Sequence, residues 1–188
     1  EQGKPTAQAK FEVIGAAMVL KSFAEMLLDP VVLRDTPEQK VIEYRSPLGV
    51  VAGITPWNFP IILLMHKFGP ALLAGNTLVA KPAPTTPLTT LLFAELANEI
   101  LPAGIFNVIC DQNDLGGSLV AHRDVAKVAF TGSTATGKKV MEAAAASVKR
   151  VTLELGGNDA AIVLDDVDVA DAAGKVFHAA MLNAGQIC

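Results

Sequence analysis

Val125-Ala126-Lys127-Val128-Ala129-Phe130-Thr131-Gly132-Ser133-Thr134-Ala135-Thr136-Gly137-Lys138-Lys139 passes from a short apolar run, through a small-residue turn, into a stretch with helical character. A β-branched run of this length with no polar alternation reads as a strand buried on both faces. The reading is strand 126–130 followed by helix 133–146. The same alternation extends outward on both sides. Strand 77–80 leads to helix 87–100, and strand 105–109 to helix 114–121. Strands 150–155 and 159–164 precede a last helix at 168–182. Upstream, residues 48–54 read as a short buried strand and 60–74 as a helix stopped by Gly75-Asn76. Residues 40–45 alternate as a strand. Residues 6–28 form an amphipathic helix with Phe11, Ile14, Met18, Phe23 and Leu27 at roughly helical spacing. Strands separated by helices make βαβ units, so the expectation is one α/β domain with a doubly wound, mostly parallel sheet covered on both faces. Such sheets bind ligands beyond the carboxyl ends of their strands.

Composition narrows the possibilities. The 188 residues are 51% hydrophobic with a formal net charge of −4, which suits a core-rich globular domain and argues against disorder. The basic residues are scattered, without the stripe that nucleic-acid binding demands. Apolar runs such as Ile61 to Met65 are too short to span a bilayer. Two cysteines far apart make no disulfide framework, so a reducing, cytoplasmic setting is expected. His66, His122 and His178 have no ligand spacing, and no metal is expected. The chain lacks an initiator Met, opens in a helix lead-in and stops just after a helix, which predicts a piece of a longer protein.

Five motifs fall at strand or helix ends. In Thr55-Pro56-Trp57-Asn58-Phe59-Pro60, prolines hold a neutral Asn amide that can donate two hydrogen bonds, enough to meet a developing oxyanion; a Pro-rich turn with Trp57 as packing is the plainer alternative. In Val79-Ala80-Lys81-Pro82-Ala83-Pro84, a strand-end lysine can reach a hydroxyl or phosphate, or be an ordinary solvated lysine. In the opening segment, Gly132 and Gly137 let backbone approach a phosphate, and the helix start favours its charge. Leu153-Glu154-Leu155-Gly156-Gly157 sets a carboxylate at a strand end with backbone room around it, which suits a general base or merely a strand-end acid. Asn183-Ala184-Gly185-Gln186-Ile187-Cys188 ends on a cysteine that is either a reactive thiol or a small buried hydrophobe. Cys110 takes the second reading, inside an apolar strand.

Gly132 to Lys138 also fits G-x-x-x-x-G-K, and Ile162-Val163-Leu164-Asp165 imitates an apolar strand ending in a metal-binding acid. The pair mimics a phosphate-loop NTPase. The mimicry fails at Lys139, where Ser or Thr must ligate Mg²⁺, and the loop comes late in the sheet.

Taken in order, T-P-W-N-F-P, K-P, F-T-G-S-T-x-x-G, L-E-L-G-G and G-Q-x-C resemble the aldehyde dehydrogenase superfamily, over nearly the whole chain from its E-Q-G-K-P opening. The resemblance implies a Rossmann-like cofactor-binding domain over 1–188. It carries the start of the catalytic segment at its end, while the catalytic domain and oligomerisation arm lie outside the chain. It implies Cys188 as the thiolate nucleophile, Asn58 with the Cys188 N–H as oxyanion donors, and Glu154 as the base that activates water against the thioester. It implies NAD or NADP as cofactor, with Lys81 on the adenosine ribose and Gly132, Ser133 and Gly137 at the pyrophosphate. Ile54, Thr55, Pro56, Trp57 and Leu155 then line the ribose and nicotinamide. The partner is a small aldehyde, and the full-length protein is expected to be a homodimer or homotetramer. The isolated piece reads as inactive, with a non-catalytic nucleotide-binding module as the alternative to an enzyme. Many NAD-preferring members have Glu three residues after the lysine. Pro84 stands there instead, which opens the site to NADP. Asn158-Asp159 also departs from the family's usual Lys-Ser or Lys-Asn.

Overall fold

Five strands form a single all-parallel sheet in the computed structural model, which describes residues 1–188. The elements run α1 (Thr6–Ala24), β1 (Val31–Asp35), β2 (Lys40–Glu43), β3 (Val50–Ile54), α2 (Pro60–Leu73), β4 (Thr77–Lys81), α3 (Leu88–Asn98), β5 (Phe106–Val108), α4 (Gly116–Ala121), β6 (Val125–Gly132), α5 (Thr134–Ala145), β7 (Arg150–Leu155) and α6 (Val169–Ala180). The sheet order is β5-β4-β3-β6-β7. The chain starts in the middle at β3, builds outward to β5, then returns to the other side of β3 for β6. The strand order therefore reverses between β3 and β6, and a crevice opens at their carboxyl ends.

Side-chain alternation assigns the two faces. Val51 of β3 packs with Leu64, Phe68, Leu78 and Phe106 on the side of α1, α2 and α3. Its neighbours Ala52 and Ile54 pack with Val120, Val128, Phe130 and Val140 on the side of α4 and α5. On the first face, Phe68 meets Phe93 and Phe106 edge-on with ring centroids 5.1 and 5.0 Å away, an arrangement that favours the ring quadrupoles. α2 ends as expected, with Gly75 at φ +74.

Several expectations need correction. Residues 159–164 form no strand: they are irregular and exposed, and β7 is the sheet edge. The imitation of an apolar strand ending in Asp165 disappears with it. Cys110 lies beyond β5 and is exposed, so it is neither in a strand nor a buried hydrophobe. The first helix stops at Ala24. Residues 31–35 add a strand, paired antiparallel with β2 in a hairpin outside the main sheet. The last helix is shorter than expected and is followed by a 3₁₀ turn, Leu182–Gly185.

Candidate active site

The crevice at the β3/β6 reversal is a cavity of about 1160 Å³. Every residue that the resemblance assigns to catalysis or cofactor binding lines it, except Gly137. At one end stand Asn58, Glu154 and Cys188; Lys81, Pro84, Asn113, Gly116 and Gly117 form another part of the wall.

Strand register sets the floor. Ile54 is paired with Lys81 on one side and Phe130 on the other, so the ends of β4, β3 and β6 are level. The Thr55 N–H donates to the Lys81 carbonyl, carrying that pairing one residue past β3. The Thr55 hydroxyl is buried on the cavity wall with no hydrogen-bond partner. An orphaned hydroxyl here fits a polar ligand.

β6 runs straight into α5 through Ser133. The Ser133 Oγ accepts the Thr136 N–H at 3.2 Å and donates to Thr136 Oγ1 at 3.0 Å. It is therefore the N-cap, and its hydroxyl is occupied. The other first-turn amides have no intrahelical partner, and Ser133 and Thr136 at this helix start line the cavity, a setting that suits a phosphate. Gly137 has a different role from approach to a ligand. It is buried, and a Cβ built on it would stand 2.5 Å from Leu155 Cδ2. It lets α5 close onto β7 and so shapes the wall on which Leu155 stands.

The Asn58 turn is held from the N-terminus of the chain. Its carbonyl accepts from Gln2 Nε2 at 2.8 Å and from Lys4 Nζ at 2.7 Å. Lys4 also lies 3.7 Å over the Phe59 ring and pairs with Glu12 at 2.5 Å, both side chains being buried. Glu12 uses its other oxygen to accept from the Ile61 N–H at 3.0 Å, capping α2. A carboxylate at that helix start offsets the dipole and satisfies an orphan donor. The E-Q-G-K-P opening thus fixes the position of Asn58.

The Asn58 side chain reaches the cysteine segment. Nδ2 donates to the Ile187 carbonyl at 2.6 Å and to the Gln186 carbonyl at 3.3 Å. In this state both N–H groups are engaged with backbone preceding Cys188, so one must be released before the amide can meet an oxyanion. The Gly157 N–H donates to the Cys188 carbonyl at 2.6 Å, and a Cβ on Gly156 would stand 3.0 Å from that oxygen. The paired glycines after Glu154 therefore admit the cysteine backbone. The turn before it holds Asn183 and Ala184 at φ 52 and 56, a left-handed conformation costly for Ala. Asn183 is buried and donates to the Gln186 carbonyl at 3.0 Å, which helps to hold the bend.

Two charged residues at the site escaped the sequence reading. Lys67 of α2 is 6% exposed, and its Nζ donates to Thr131 Oγ1 at 2.5 Å. Burial lowers its pKa from 10.5 to about 8, against the opposing pull of the Glu154 charge. Asp111, just past β5, pairs with Lys81 Nζ at 2.6 Å. A lysine inside the apolar run of α2 was the available signal for Lys67. An acid placed just past a parallel strand was the signal for Asp111. Lys81 itself is 4% exposed, which removes the solvated-lysine reading.

Comparison with known proteins agrees with this geometry. Residues 1–188 match the aldehyde dehydrogenase family along their whole length. The chain belongs to that family. It is 43% identical over 193 residues to the succinate-semialdehyde dehydrogenase [NADP(+)] GabD of Escherichia coli, covering all of this chain and 40% of that protein. An E. coli NADP-dependent enzyme of known structure superposes with a TM-score of 0.94 at 43% identity, over all of this chain and 40% of its own. PnpE, solved in complex with nicotinamide adenine dinucleotide, superposes with a TM-score of 0.94 at 40% identity, over 100% of this chain and 39% of its own. Relatives in this family thus bind NAD or NADP, and this aldehyde dehydrogenase chain spans about 40% of their length. No helix in it is long and apolar enough to cross a membrane.

Proposed function

We propose that the protein oxidises an aldehyde to a carboxylic acid with NAD or NADP, using Cys188 as nucleophile. One observation carries the reading. Asn58, Glu154 and Cys188, far apart in the chain, line a single cavity, with the Asn58 amide hydrogen-bonded to the backbone immediately before the cysteine.

Cys188 Sγ, as thiolate, attacks the carbonyl carbon, and the carbonyl electron pair moves to oxygen. Asn58 Nδ2, released from one backbone carbonyl, donates to that oxyanion together with the Cys188 N–H. A dinucleotide, when bound, would supply the hydride acceptor. With the hydride gone and the oxyanion pair returned to re-form the carbonyl, the substrate carbon is a thioester on Sγ. Glu154 then takes a proton from water, the hydroxyl oxygen adds to the thioester, and the C–S bond breaks to return the thiolate and release the acid. Lys81, the Thr55 hydroxyl and the first-turn amides of α5 would hold a dinucleotide across the floor.

The test is made on the protein in its full native length. Aldehyde-dependent formation of reduced nicotinamide is expected in the parent and is expected to vanish in Cys188→Ala. Activity that persists in Cys188→Ala removes the nucleophile assignment. Mg²⁺-dependent ATP hydrolysis without aldehyde oxidation replaces the reading with the NTPase one.

A further inference from the structure

An acidic residue at the adenosine ribose accepts a hydrogen bond from its 2′-hydroxyl, and a basic residue there accommodates a 2′-phosphate instead. On the dinucleotide reading above, that place is the end of β4, which carries a base, Lys81, with Pro84 three residues later on the same wall. Taken alone, a lysine there and no acid reads as a site open to NADP.

The lysine is not a free cation. Its Nζ is 2.6 Å from Asp111 Oδ1, and the side chains of Lys81 and Asp111 are 5% and 0% exposed. The second oxygen of Asp111 accepts the Leu115 N–H at 2.9 Å, which fixes the carboxylate from the other side. Burial by itself raises the Asp111 pKa. The Lys81 hydrogen bond, the amides of Leu115 and Asn113 and the Lys81 charge outweigh it, so the group is held below the usual carboxylate range. The carboxylate is therefore ionised at neutral pH, and the pair is close to neutral. Lys81 also makes a long contact to the Pro82 carbonyl at 3.5 Å, which leaves one N–H without a protein partner on a residue that lines the cavity. One neutralised donor suits a ribose hydroxyl. It does not suit a phosphate dianion, which needs net positive charge and would face the Asp111 carboxylate in a low-dielectric setting. The other cation on the cavity wall, Lys139 of α5, is exposed, so solvent screens it.

We propose that Asp111 is a specificity-determining positioning residue: by neutralising Lys81 at the ribose end of the cavity, it makes the protein prefer NAD to NADP. The acid missing at Pro84 is supplied from the loop after β5, and it acts through the lysine without touching the cofactor. This rests on the dinucleotide reading of the cavity made above.

Calorimetric titration of the full-length protein with NAD and with NADP tests it, since it reads affinity without turnover. The parent is expected to bind NAD at least about tenfold more tightly than NADP. Asp111→Asn keeps the shape and removes the charge, and should bring the two dissociation constants within about threefold, chiefly by tightening NADP. Merely structural damage would weaken both and leave their ratio alone. If Asp111→Asn does not fold, Asp111→Ser leaves a hydroxyl beside Lys81 while removing the neutralising charge; it too should bring the ratio towards unity. A parent that prefers NADP, or an unchanged ratio in a folded variant, overturns the proposal and leaves the dinucleotide reading standing. Failure of the parent to bind either dinucleotide overturns both.

Discussion

Lys67 Nζ donates to Thr131 Oγ1 at 2.5 Å, and Thr131 is the residue of β6 in register with Glu154 on β7. A buried ammonium therefore stands one strand away from the carboxylate assigned as general base. Burial dominates and brings the Lys67 pKa down from 10.5 to about 8, while the Glu154 charge works to keep it up. Between pH 8 and 10.5 the unfolded chain then holds a proton that the folded chain has released. Stability rises with pH in that window, because the unfolded state binds more protons there. The cost of burying the charge, present in full below pH 8, amounts to about 3 kcal/mol. Denaturant midpoints for the parent and Lys67→Met, taken across the window, should converge in the parent's favour as the pH rises. Parallel curves would show that Lys67 is not the titrating group. Glu154→Gln should move the start of the rise to lower pH, since it removes the charge that works to keep the Lys67 pKa up.

Glu12 joins the opening of the chain to the Asn58 turn, and its loss should be felt in both places. Glu12→Ala leaves the Lys4 ammonium buried without its partner and uncaps α2. Breaking a buried pair from one side costs about 3–5 kcal/mol, which urea unfolding at neutral pH should read directly. Lys4 also donates to the Asn58 carbonyl, so the same variant should lower kcat at a temperature where it remains folded. Lys4→Met/Glu12→Leu should recover much of the stability but not the rate. Recovery of both would mean that Lys4 does not position Asn58.

Much of the fold was legible because the strands that matter are buried on both faces. Val50 to Ile54 is an unbroken apolar run and Val125 to Phe130 is interrupted only by Lys127, both are ended by small residues, and each proved to be a strand at the reversal of the sheet. The misreadings have a common cause: an apolar run states that a strand can form, while a strand needs a ladder partner. Ile162-Val163-Leu164 has the composition but stands beyond the edge strand β7, unpaired and exposed. Val31 to Leu33 is exposed too, yet β2 is there to pair with it. For the site, the motifs located Asn58, Lys81, Glu154 and Cys188 on one cavity. They could not reveal Asp111 or Lys67, because an ion pair across 30 residues and a hydrogen bond across 64 leave no local pattern. Gly137 shows the limit of motif reading from the other direction. It belongs to the turn motif, but it serves helix packing.

That packing can be tested. Gly137→Ala places a methyl group 2.5 Å from Leu155 Cδ2, so the leucine must swing away from α5. Overpacking of this kind costs about 1–3 kcal/mol. Leu155 lies on the cavity wall next to Glu154, so the displacement should also weaken dinucleotide binding. Gly137→Ala/Leu155→Ala removes the clash and should restore part of the lost stability, a coupling that a double-mutant cycle on denaturant midpoints measures. Strictly additive effects would place Gly137 in contact with something other than Leu155.

Asn58 is expected to act twice, and kinetics can separate the two roles. In the resting arrangement its amide holds the Ile187 carbonyl at 2.6 Å, which orients the segment carrying Cys188. In the reaction one N–H turns to the oxyanion. Loss of one oxyanion donor typically costs about 10²–10³ in kcat, so Asn58→Ala should show at least that loss in the acylation burst. The positioning role makes a separate prediction. Alkylation of Cys188 by a neutral haloacetamide builds no oxyanion, so a pure oxyanion donor would leave its rate unchanged. If the amide also orients the cysteine, Asn58→Ala should change that rate as well. A large loss of acylation with unchanged alkylation would assign Asn58 to the oxyanion alone, and the hydrogen bond to Ile187 would then be a resting contact without consequence for the nucleophile.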